Sequence, residues 1–91
     1  MKINKFQLYA TSKDDAISFK THEIAISADP DTLRKIGLFF INSAHEMDFN
    51  ETDHIHLQDR FTEFSHKKHC EIVLINRKKN KTAMISEMPS K

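Results

Sequence analysis

The chain has 91 residues, 38% of them hydrophobic and 30% charged, with one cysteine and a formal net charge of +1. That size and balance fit one small globular domain and exclude a disordered, collagenous or disulfide-stapled chain. No run of hydrophobic side chains exceeds four residues, as in Ile72 to Ile75. This is far short of the roughly 20 that cross a bilayer, and the N-terminal stretch lacks the apolar core of a signal peptide. A cytoplasmic protein without a membrane span is expected.

In chain order, residues 3–11 carry Phe6, Leu8 and Ala10 on alternate positions, the period of a half-buried strand. Residues 12–15 are a polar hairpin loop, after which Ile17 and Phe19 resume the alternation. Ile24 and Ile26 have the opposite parity, so a bulge or break near Thr21 and His22 is expected within one bent strand. An amphipathic helix then spans residues 29–48. Asp29 caps its free N–H groups, Pro30 takes the first position because it has no donor to satisfy, and Asp31 complements the positive end of the dipole. Leu33, Ile36, Gly37, Phe40, Ile41, Ala44 and Met47 recur at helical spacing as the buried stripe, and Leu38 and Phe39 point away from it. Gly37 costs about 1 kcal/mol against alanine, which a close approach of helix to strand would offset. Asn50 is the expected left-handed cap.

Ile55 and Leu57 alternate with His54 and His56 in a third strand, and residues 61–69 read as loop or a single turn. Residues 70–77 are the strongest strand signal. Cys70, Ile72 and Leu74 face one side and Val73 and Ile75 the other, which makes Cys70 a small buried apolar residue. A short last strand over residues 82–86 and a loose tail over 87–91 complete the chain. The fold class is α+β, a ββαββ order with a fifth strand, in which one helix covers one face of a mainly antiparallel sheet within a single domain of residues 1–86. One helix cannot cover two faces. Either Leu38 and Phe39 tuck under the loop that holds Phe61 and Phe64, or the surplus apolar surface meets a second copy of the chain or another protein.

Chemistry-bearing clusters are weak. His54 and His56 share a strand face, and His66, His69 and Cys70 lie close together, but H-x-x-H-C matches no strong zinc pattern, and neither metal nor cofactor is expected. His69 and Cys70 are adjacent strand residues that face opposite ways, and there is no nucleophile elbow or glycine-rich phosphate loop, so no enzyme is expected. The charges are segregated: residues 46–65 hold six acidic side chains and one basic, and residues 66–91 hold seven basic and two acidic. Lys67, Lys68, Arg77, Lys78, Lys79 and Lys81 could grip phosphates, but no aromatic residue follows Phe64 to stack on bases. The acidic middle could instead draw a basic protein surface.

The order of a two-stranded start, a D-P-D-T-L helix opening, a helix ending in A-H-E-M, a short acidic loop, H-I-H-L and an E-I-V-L-I-N strand resembles the bacterial immunity proteins of polymorphic toxin systems, of the immunity protein 32 type, over residues 23–76. The resemblance implies an α+β protein that neutralises a cognate toxin by binding it, without catalysis. The resemblance supplies no contact residues. From the acidic and apolar pattern, the partner-binding set is Glu46, Asp48, Phe49, Glu51, Asp53 and Asp59 with Leu38 and Phe39. The alternative is a small regulatory nucleic-acid-binding protein that uses the basic C-terminal segment, and a zinc-stabilised module is the third.

Overall fold

The computed structural model describes residues 1–12 and 18–78. They form an α+β fold with one helix and two small antiparallel sheets, rather than the single sheet expected. The chain divides into two compact units, the first within Met1–Ser27 and the second Ala28–Lys81.

In the first unit β1 (Leu8–Thr11) pairs antiparallel with β2 (Ser18–Thr21), with Leu8 opposite Thr21 and Ala10 opposite Phe19. These four side chains share one face because side chains alternate along a strand. The hydroxyls of Thr11 and Ser18 meet at 2.8 Å at the far end of the ladder. No bulge carries β2 onward to Ile24 and Ile26. The strand ends at Thr21, the chain bends at His22, and both isoleucines lie exposed in irregular backbone. Their opposite parity therefore marks the end of the strand. The expected loop and Ile17 fall largely outside the described residues.

The second unit is built on α1 (Pro30–Asn50). Its start follows local chemistry: Asp29 accepts from the Thr32 N–H at 2.8 Å, and Pro30 occupies the first turn. The backbone bond from Thr32, helped by its side chain, holds the Asp29 carboxyl below the usual carboxylate range. At the other end the cap is Glu51, not Asn50, with φ 54° and ψ 36°. A non-glycine residue there accepts a left-handed conformation in order to end the helix.

β3 (His54–His56) and β4 (Val73–Ile75) pair antiparallel, with Ile55 opposite Leu74. Backbone bonds from Leu57 to Ile72 (2.8 Å) and from Asn76 to Asp53 (2.8 Å) extend the ladder at both ends. A single 3-10 turn, Leu57–Asp59, follows β3. Phe39, Ile55 and Leu57 are the buried core, with Met47, Phe61, Phe64, Ile72 and Leu74 packed around them.

The helix therefore buries a different arc from the one its spacing predicts. Phe39 is 5% exposed and Ser43 is buried, whereas Leu33, Phe40, Ile41 and Ala44 are exposed. At 100° per residue the apolar side chains from Phe39 round to Ile41 cover about 200°, and the small β3–β4 ladder reaches only the Phe39, Ile36 and Met47 side of that arc. Phe39 packs against Phe61 with ring centroids 6.3 Å apart, which is the tucked arrangement for that residue. Leu38 stays 56% exposed. Cys70 is exposed rather than buried, because the regular strand begins only at Val73.

Gly37 makes no close approach: a Cβ there would meet nothing within 4 Å. Gly37→Ala should then stabilise the chain by about 1 kcal/mol at most, through lost unfolded-state freedom alone. A raised urea midpoint at unchanged slope would show it.

Candidate partner-binding surface

The partner-binding set divides by environment. Phe39 is core and unavailable to a partner. Glu46 is spent within the chain: its two carboxylate oxygens accept from the two terminal nitrogens of Arg60 at 2.8 and 3.0 Å, a bidentate clamp between the next-to-last turn of the helix and the start of the loop after Asp59. That clamp holds the Glu46 carboxyl below its ordinary 4.5 and pushes Arg60 up, chiefly through the hydrogen bonds themselves. A depressed folded-state carboxylate contributes stability above its ordinary value and loses it as pH falls through the lowered one. Thermal melts below about pH 4.5 should therefore decline less steeply for Glu46→Gln than for the parent chain.

The remaining residues are on the surface. Asp48 and Phe49 lie in the last turn of α1, Glu51 is its cap, Asp53 immediately precedes β3, and all are exposed. Asp48, Glu51 and Asp53 thus gather where the helix dipole is already negative, in a last turn that carries no basic residue. Asp48, inside that last turn, is opposed by the dipole there. Phe49 is 81% exposed, and its ring stacks at 14° on His45 with centroids 6.3 Å apart. Leu38 lies on the same flank of the helix as Phe49, three turns earlier and about 16 Å away along the axis. Asp59 is exposed, in the 3-10 turn.

The histidines serve local structure. His56 Nδ1 lies 2.9 Å from a Glu71 oxygen, and the other Glu71 oxygen accepts from the Gln58 and Ile72 N–H groups at 3.0 Å each. This one carboxylate ties β3, the 3-10 turn and the entry to β4 together. His69 Nδ1 accepts from the Ser65 N–H at 2.9 Å, which places its ring proton on Nε2. His66 and His69 both pack on Phe64. Among the described residues no three His, Cys, Asp or Glu side chains gather as metal ligands, and no helix is long and apolar enough to cross a membrane. Lys67, Lys68, Arg77 and Lys78 are exposed, whereas Lys79 and Lys81 lie outside the described residues.

The internal role of Glu46 was not legible from residue type, and the tuck of Phe39 against Phe61 was one of the two readings that residue type left open. The signal for the first was Arg60, the one basic side chain within residues 46–65.

No curated protein and no solved structure matches the chain. The family model described as Immunity protein 32 matches residues 23–78, a stretch that holds α1, β3, the 3-10 turn and β4 and leaves β1 and β2 before it. With well over half of its length so matched, the chain belongs to the immunity protein 32 family.

Proposed function

We propose that this protein is a toxin-neutralising partner that acts in the cytoplasm by binding a cognate bacterial toxin, without catalysis of its own. Membership of an immunity-protein family carries the reading, and the surface at the C-terminal end of α1 supports it. Asp48, Glu51 and Asp53 steer a cationic toxin surface toward the helix end. Phe49, and Leu38 further along the flank, supply the apolar anchors that exclude water once contact is made. Asp59, in the 3-10 turn, adds to the long-range attraction. A negative surface of this kind is complementary to a phosphate-binding cleft, so a nuclease is the toxin class it fits best.

Co-expression with the product of the neighbouring gene provides the test. A stable complex on size exclusion, together with loss of that product's toxicity, is the expected result. A neighbouring toxin that stays unbound and active would overturn the assignment.

A further inference from the structure

The arc of α1 that the β3–β4 ladder leaves uncovered falls into columns of residues seven apart, which drift by only about 20° per step on a helix. Leu33 and Phe40 form one column, which the half-buried Met47 continues, and Gly37 and Ala44 form the next. Ile41 stands in the third, with Arg34 seven residues before it and Asp48 seven residues after. Leu33, Phe40, Ile41 and Ala44 are all exposed, and an apolar strip of this kind along one helix marks an interaction surface. The ionisable side chains of α1 that border it are Arg34, His45 and Asp48, all on the Ile41 side. The ion pairs among the described residues join Lys35 to Asp31, His56 to Glu71 and Arg60 to Glu46, so Arg34 and Asp48 are exposed charges that take part in none of them.

We infer that this strip receives the same strip of a second copy of the chain, with the two helices antiparallel about a two-fold axis near residues 40 and 41. Such an axis sets each column against its own reversal. Phe40 meets Phe40 of the second copy, Ile41 meets Ile41, and Gly37 meets Ala44. Arg34 meets Asp48 at both ends of the third column. The charge order is what identifies the occupant: a cation and an anion equally spaced from Ile41 complement themselves when reversed, whereas a parallel pair would set Arg34 on Arg34. Gly37, where a Cβ would meet nothing within 4 Å, gives the two backbones room to draw together. A single pair of helices about 31 Å long buries less than a stable interface needs, so the dimer is weak, with a midpoint of roughly 100 µM. At low micromolar concentration the chain is monomeric, and these exposed positions add nothing to its stability. Leu38 and Phe49 lie roughly 120° round the helix from the Gly37 column, so the dimer leaves those anchors open to a toxin, and Asp48 belongs to both surfaces.

Sedimentation equilibrium of the full chain at low salt, from about 5 µM to about 1 mM, should show reversible dimerisation around that midpoint. Ile41→Glu, which sets two carboxylates against each other at the axis, should weaken it by about tenfold or more at an unchanged circular dichroism spectrum. Arg34→Asp alone and Asp48→Arg alone should each weaken self-association by about tenfold at low salt, because like charges then face each other at both ends. An equimolar mixture of those two variants should recover the parent's association, since each supplies the charges that the other now faces. A chain that stays monomeric throughout, or a mixture no more associated than either variant by itself, would overturn the inference. If the chain is monomeric, loss of toxin capture by Ile41→Glu would give the strip to the toxin, and protection of the Phe40 ring from a soluble paramagnetic probe would give it to a segment of the same chain; either result also overturns the dimer.

Discussion

Replacing Phe39 with alanine should abolish cooperative unfolding of the unit built on α1, or lower its stability by about 3–5 kcal/mol. Phe39 is one of three buried hydrophobic residues among the described residues, and it joins the helix to Ile55, Leu57 and the Phe61 turn. A core this small has no second layer to close over the cavity, and a loss of that size is a large part of a small domain's total stability. The comparison that decides the matter is Ile41→Ala, at an apolar position 57% exposed on the same helix, which should fall within about 0.5 kcal/mol of the parent. Urea titrations followed by circular dichroism measure both. Equal losses at the two positions, or a larger one at Ile41, would mean that the helix buries the arc its spacing predicts.

The second large effect concerns binding and separates two kinds of contact. Phe49→Ala should cost about 2 kcal/mol or more of affinity for the toxin, roughly thirtyfold, almost wholly as faster dissociation. It should leave stability nearly unchanged, because the ring is 81% exposed. Neutralising the helix end with Asp48→Asn, Glu51→Gln and Asp53→Asn should instead slow association by about tenfold at low salt, with the difference vanishing as salt screens the field. Asp48→Asn alone removes charge that the helix dipole opposes, so with that single change the isolated chain should be no less stable than the parent. Surface plasmon resonance across a salt series resolves the two rates. If the triple variant associates as fast as the parent at low salt, the acidic end plays no part in steering.

The helix shows where reading the sequence succeeds and where it stops. Its opening was legible at Asp29, Pro30 and Asp31 because capping, the missing proline donor and the dipole act within a few residues. Its closing was legible to within a residue or two. The left-handed position fell on Glu51 rather than Asn50, since either can adopt it and the choice depends on how the chain must leave toward β3. The strand at Ile55 was equally clear from alternation.

What the sequence by itself determined was thus the helix, the strand signals on either side of it, their α+β order and the family. Tertiary structure alone decided which part of an apolar arc about 200° wide would be buried. The arc is wider than the surface that the β3–β4 ladder can cover, and periodicity measures the arc without knowing the size of its cover. That choice put Phe39 in the core, left Leu33, Phe40 and Ile41 exposed, and brought Arg60 within reach of Glu46. The physical reason is one of range. Caps and alternation act between near neighbours in the chain, whereas burial and ion pairing depend on which distant segments the compact state brings together.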